Sequence, residues 1–172
     1  ERSASRQYAQ MKQEAASKRA LAPDNHPQLQ RLRLIANRIL PFAPRFNPAA
    51  SRWKWEVNLI GSSQLNAFCM PGGKIAFYTG IINKLRLTDD EIAIVMGHEI
   101  AHALREHARE RIAKSQITHG VATIASELLA GTKYGGLAQL GVRGGANLLT
   151  LQFSRSDESE ADVVGLDLAA RA

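Results

Sequence analysis

The spacing of apolar residues changes character along the chain and divides it into helical and extended stretches. Residues 3 to 21 are rich in Ala, Gln and Lys and stop before Pro23, which predicts a helix. Asp24-Asn25-His26-Pro27 predicts a turn and cap, with His26 at the surface. A second helix is predicted over Pro27 to Leu40, where Leu29, Leu32, Ile35, Ala36 and Ile39 fall on one face before Pro41. Pro41 to Ser51 holds three prolines and is expected to be a connector without regular structure. From Arg52 to Thr79 the period drops to two. Trp53 to Ile60 alternates large apolar with polar residues, as a half-buried strand does, and Gly61-Ser62-Ser63 marks a turn. Leu65 to Met70 and Lys74 to Thr79 predict two more strands joined by Pro71-Gly72-Gly73. A small antiparallel sheet is therefore expected.

Helical spacing then returns. Gly80 to Leu87 predicts a short helix laid on the sheet by Ile81, Ile82 and Leu85, and Asp89 to Lys114 a long one. Ile117 to Ala130 reads as an apolar helix, Gly131 to Gly145 as a Gly-rich mobile stretch, and Ser156 to Ala172 as a closing helix. The Gly-rich stretch contains neither Gly-x-Gly-x-x-Gly nor Gly-Lys-Ser/Thr, so it is not a phosphate loop. The fold class expected is α+β, mainly helical, as one domain over residues 1–172. Residues 1–51 form its N-terminal helices and connector, and 52–172 its core.

The chemistry is concentrated in His98-Glu99-Ile100-Ala101-His102. Each helical residue turns by about 100°, so His98 and His102 lie about 40° apart and can reach one metal ion, with Glu99 beside them as a base for a metal-bound water. Such short matches also occur on solvated faces. Here Thr88-Asp89-Asp90-Glu91 has the form of a capping box, and Ile92, Met96, Ile100, Ala103 and Leu104 form an apolar stripe away from the histidines. With Ile94 and Val95 also apolar, the turns before His98 are expected to be buried nearly all round. His107 projects opposite His98 if the helix continues, which argues against ligation, and His119 is read as an ordinary packed or surface residue. Arg105 and Arg109 fall on the His98 side, where they can orient acidic groups, although a solvated charged face is the reading favoured.

Two histidines and a base leave a zinc ion in need of a third protein ligand. The densest acidic cluster downstream is Asp157-Glu158-Ser159-Glu160-Ala161-Asp162. Glu158 and Asp162 share a helix face, and Glu160 lies about 160° round from Glu158. A ligand and a carboxylate supporting a ligand histidine, both drawn from one face, would be Glu158 with Asp162.

Composition narrows the remaining classes. The 172 residues, 45% of them apolar or aromatic, suffice for one core. The formal charge of +6 sits largely in early residues such as Arg2, Arg6, Lys12 and Arg33, with only Tyr8 as an interleaved aromatic, so no nucleic-acid partner is expected. A single cysteine, Cys69, excludes an internal disulfide framework and a Cys-rich zinc site. A packed or edge-strand Cys69 is favoured over a thiolate that closes the metal's fourth position. No run reaches the length of a membrane span. The chain starts at Glu1 and stops within a helical pattern, so a trimmed catalytic domain is expected, with any membrane association coming through an absent N-terminal anchor.

His98-Glu99-Ile100-Ala101-His102 together with Ser154-Arg155-Ser156-Asp157-Glu158-Ser159-Glu160-Ala161-Asp162 resembles the H-E-x-x-H and S-R-x-x-E-x-x-A-D pair of the HtpX/BepA/LoiP-type zinc metallopeptidases. Asn66-Ala67-Phe68-Cys69-Met70-Pro71-Gly72-Gly73 resembles the same family's N-A-F-x-x-P-G-G strand and turn. The resemblance implies a gluzincin fold, one zinc per chain held by His98, His102 and Glu158, and Glu99 as catalytic base; Asp162 keeps the supporting role expected from its helix face. Asn66, Ala67, Phe68, Gly72 and Gly73 become the candidate substrate-binding strand. A polypeptide substrate and a periplasmic or envelope location follow from the soluble or lipid-anchored bacterial members, which the chain resembles most. The alternative kept from another class is a latent or chaperone-like module that binds envelope proteins and retains the zinc.

Overall fold

The computed structural model describes residues 2–108, 110 and 153–172. The predicted helix Ile117–Ala130, the Gly-rich stretch, His119 and Arg109 lie outside the described residues.

Three strands, β1 (Glu56–Ile60), β2 (Ala67–Met70) and β3 (Lys74–Tyr78), form one sheet in the order β1-β3-β2. β2 and β3 make the expected hairpin, with Ala67 opposite Phe77 and Met70 opposite Lys74. β1 runs parallel to β3, Glu56 opposite Lys74 and Ile60 opposite Tyr78. The sheet is thus mixed, which corrects the expectation of an antiparallel one. The stretch between β1 and β2 carries the chain past the β3 position, so the hairpin folds back into the gap. Gly72 and Gly73 turn it with φ of 88° and 84°, and a Cβ on Gly73 would lie 2.7 Å from the Trp55 ring.

β1 was expected to keep one wet face, yet both faces of the sheet are covered. Helix α1 (Arg2–Ser17) lays Ala4, Tyr8, Met11 and Ala15 over Ile60, Phe68, Met70, Ala76 and Tyr78. The Tyr8 hydroxyl donates to the Ile75 carbonyl and accepts from the Asn58 amide at 3.1 Å, while Lys12 pairs with Glu56. Burial alone would raise the Glu56 carboxyl, but the Lys12 hydrogen bond and charge, with Asn58 and Lys74, outweigh it and hold the group below its ordinary value. α1 ends before the expected Leu21: Arg19 turns left-handed at φ 53°, and Leu21 leaves to bridge Ile60.

The opposite face carries the larger core. Val57, Leu59, Ala67, Ile75 and Phe77 share one core with α2 (Pro27–Ile39) and α4 (Asp89–Leu104), and α5 (Arg155–Arg171) joins it by packing against those two helices. His26 is itself the cap of α2, its Nδ1 accepting from the Gln28 amide at 3.2 Å. The Pro-rich connector is two short 3-10 helices, Leu40–Arg45 and Pro48–Arg52, and is regular after all; proline's fixed φ near −65° suits a helical turn. The short helix α3 (Thr79–Leu85) leads from β3 to α4.

α4 starts as its capping box predicts: the Glu91 amide donates to Thr88 Oγ1 at 3.3 Å, and the Thr88 amide to Glu91 Oε2 at 2.7 Å. Ile92, Met96, Ile100, Ala103 and Leu104 are buried, whereas Ile94 is exposed. The helix stops at Leu104, ten residues short of Lys114. Glu106 adopts φ 54°, and Asn47 from the connector donates to the Leu104 carbonyl at 2.9 Å, satisfying a group that the ended helix leaves bare.

Candidate metal centre

α4 and α5 cross at two glycines. A Cβ on Gly97 would meet the Gly165 carbonyl oxygen at 2.6 Å, so only glycine allows this approach. The crossing sets the first turns of α5 over the second half of α4. A second capping box starts α5, with the Asp157 amide donating to Ser154 Oγ at 3.2 Å and the Ser154 amide to Asp157 Oδ2 at 2.9 Å. Asp157 is spent on the cap, and Glu158 turns towards the histidines.

Three donor atoms converge. His98 Nε2 lies 3.1 Å from His102 Nε2 and 3.2 Å from Glu158 Oε2, and His102 Nε2 lies 3.4 Å from Glu158 Oε1. Donors about 2.0–2.2 Å from a tetrahedral ion stand about 3.3–3.6 Å apart. The two histidines meet different oxygens of the Glu158 carboxylate, and one donor atom from each of the three residues lies within 4.8 Å of the other two, a triangle small enough to close on one ion; two imidazoles and one carboxylate are a donor set that suits zinc. Glu99 and His102 are buried, at 4% and 3% exposure; His98 is less so.

Each histidine also has a partner behind it. Asp162 Oδ1 lies 2.8 Å from His98 Nδ1, on the side away from the triangle. His102 Nδ1 lies 3.0 Å from His107 Nδ1, His107 Nε2 lies 3.0 Å from Glu160 Oε2, and Glu160 pairs with Arg105. The His107 hydrogen bond, the largest influence, together with the hydrogen bond and charge of Arg105 holds the Glu160 carboxyl below its ordinary value, against the opposing effect of burial. Phe153 stacks on the His102 ring, centroids 4.0 Å apart and planes 16° from parallel.

Helical projection missed this second group. It sent His107 away from His98 because it carried α4 through residue 107, whereas the chain turns at Arg105-Glu106 and brings His107 back beneath His102. Arg105, favoured as a solvated charge, holds Glu160 instead. The signal available was His107 itself, five residues after His102, but its use depends on where the helix stops.

Cys69 contributes no atom to the donor triangle. Burial, and then the charge of Glu99, push its thiol well above the ordinary thiol range. Asn66 is buried with its side-chain amide unpaired among the described residues, while its backbone carbonyl accepts from the Tyr78 amide at 3.0 Å. Ala67 and Phe68 are buried in β2, and Gly72 and Gly73 serve the turn.

The model of peptidase family M48 matches residues 28–172, which include the sheet, the triangle and the groups behind it. The chain belongs to peptidase family M48. Its M48 relatives include mitochondrial metalloendopeptidase OMA1 of Arabidopsis thaliana, 36% identical over 69% of this chain and 23% of that protein. OMA1 of Schizosaccharomyces pombe is 32% identical over 88% of this chain and 42% of its own length. The metalloprotease LoiP of Escherichia coli is 32% identical over 91% of this chain and 58% of its own length. The chain thus spans less than two thirds of the length of each of these M48 proteins. Among the described residues, no helix is long and apolar enough to cross a membrane.

Proposed function

We propose that this chain is the catalytic domain of a zinc-dependent metalloendopeptidase acting on misfolded or envelope polypeptides. The observation that carries the reading is the triangle of His98, His102 and Glu158 donor atoms, with Glu99, the residue between the two histidines that follows His98 in the same helix, buried. Two imidazoles and one carboxylate favour zinc over calcium or magnesium, which take oxygen donors, and three protein ligands are the number that a catalytic zinc would take. In this reading the three side chains hold the ion, which when bound supplies Lewis-acid activation of water and of the scissile carbonyl. Glu99 takes a proton from the attacking water on its carboxylate and passes it to the nitrogen of the leaving amine. Asp162 accepts the Nδ1 proton of His98 and keeps that ring turned to the site.

The edge of the sheet supports a polypeptide substrate. β2 is an outer strand, and in its antiparallel pairing with β3 the Tyr78 amide bonds to Asn66. Alternation along the ladder then turns the backbone groups of Ala67 and Cys69 outward, where an extended peptide can add as a further strand. Asn66, Ala67 and Phe68 form the body of that strand, and Gly72 and Gly73 fix its end. Recognition through main-chain hydrogen bonds favours unfolded segments over one sequence. A bacterial envelope location belongs to the same proposal, supported by the motif resemblance to the soluble or lipid-anchored bacterial members.

The test is cleavage of a permanently unfolded protein by the purified chain. Cleavage should disappear when a chelator removes the metal and return with one equivalent of zinc. Cleavage that survives complete metal removal would overturn the reading.

A further inference from the structure

His102 is constrained from both ring nitrogens, and the two constraints fix the positions of protons along four residues. Its Nε2 faces the donor triangle. A neutral imidazole that gives one nitrogen's lone pair to a metal carries its proton on the other, so His102 Nδ1 is then a donor. The atom facing it, 3.0 Å away, is His107 Nδ1, which must accept and so carries no proton. The proton of His107 is left on Nε2, 3.0 Å from Glu160 Oε2. Glu160 is an acceptor on both oxygens, and its Oε1 is engaged by the Arg105 guanidinium. Reversing any link puts a proton on His102 Nε2, against the metal.

We propose that His107, Glu160 and Arg105 form a one-way positioning relay that sets the tautomer and orientation of His102, through which an ion pair at the protein surface controls metal affinity. The inference rests on the reading of His102 as a metal ligand. Phe153, stacked on the same ring, leaves little freedom except rotation in the ring plane, and the relay removes that. The two histidines are thus served unequally: Asp162 meets His98 directly, while His102 is reached through a second, buried imidazole. All three acidic groups come from one stretch of α5, Glu158 to Asp162, so docking α5 delivers a ligand together with both supports.

The experiment has two readouts besides activity. In zinc-loaded protein with 15N-labelled histidine, long-range proton–nitrogen correlations should show the His102 proton on Nδ1 and the His107 proton on Nε2. A His107 proton on Nδ1, or on both nitrogens, would overturn the relay. Zinc affinity, measured by chelator competition, should fall about 10–100-fold in His107→Ala and recover to within a few-fold in His107→Asn, whose Oδ1 replaces the Nδ1 acceptor. Equal losses in the two variants would make His107 a space-filling residue and overturn the proposal. Should His107→Ala not fold, Glu160→Ala decides, since Glu160 is 39% exposed and its loss leaves the core intact. Weaker zinc binding there supports the relay, and unchanged binding overturns it. Wild-type protein that binds no zinc would overturn both this inference and the proposed function; zinc-binding wild type with unaltered variants overturns this inference alone.

Discussion

Gly97 and Gly165 face each other where α4 and α5 cross, with room for no side chain on either: a Cβ on Gly165 would sit 2.6 Å from the His98 amide nitrogen. The contact is made by backbone on both sides, so it cannot yield by rotating a side chain. It also lies next to His98, and α5 brings Glu158 to the same place. Gly165→Ala should therefore separate the helices, lowering stability by about 1–3 kcal/mol and weakening zinc binding together. Thermal melting and zinc titration of the variant check this; an unchanged melting temperature with unchanged affinity would show that the crossing has slack.

Asp162 is the direct support of His98, at 2.8 Å from its Nδ1. Asp162→Ala should weaken zinc binding about 10–100-fold. Asp162→Asn should lose less, because its Oδ1 can still accept the imidazole proton. Matching affinities for wild type and Asp162→Ala in a zinc titration would reduce Asp162 to a surface acid.

The parts of this molecule that could be read from its sequence are those specified by neighbours in the chain. Thr88 with Glu91 encodes the start of α4, and His98 and His102 share a face because the helix passes through both. The hairpin turn at Gly72-Gly73 was equally local. What escaped is specified at a distance. α4 ends at Leu104 with help from Asn47, and no residue near 104 is a glycine or proline that would announce the stop. With the end misplaced, His107, Arg105 and Glu160 could not be joined. The parallel pairing of β1 with β3 escaped for the same reason, because alternation within β1 says nothing about the direction of its partner. The four residues of α1 that cover the sheet, Ala4, Tyr8, Met11 and Ala15, were present at helical spacing but lay among lysines and arginines.

The Glu56 carboxyl, held below its ordinary value chiefly by Lys12 acting against burial, ties α1 to the sheet. A depressed folded-state value means that the interaction stabilises fully above the unfolded value, near 4.5, and is lost as pH falls through the folded value. Wild type should therefore be more stable than Glu56→Gln at neutral pH, and the gap should shrink below about pH 4.5. Denaturant melts of both proteins across pH 3 to 7 would check this, and a constant gap would exclude the linkage.

Cys69 lies on β2 with its thiol pushed up by burial and by Glu99, outside the donor triangle. Cys69→Ser should bind zinc with unchanged stoichiometry and affinity. A loss of zinc in that variant would make the thiolate a ligand and revive the latent, closed site as a reading.

The most direct test sets zinc content beside cleavage of casein for wild type and Glu99→Gln. Removing the base without touching a metal ligand should leave one zinc per chain in both proteins while cleavage falls about 10²–10⁴-fold in the variant. Cleavage by Glu99→Gln at the wild-type rate, with zinc bound, would contradict the account.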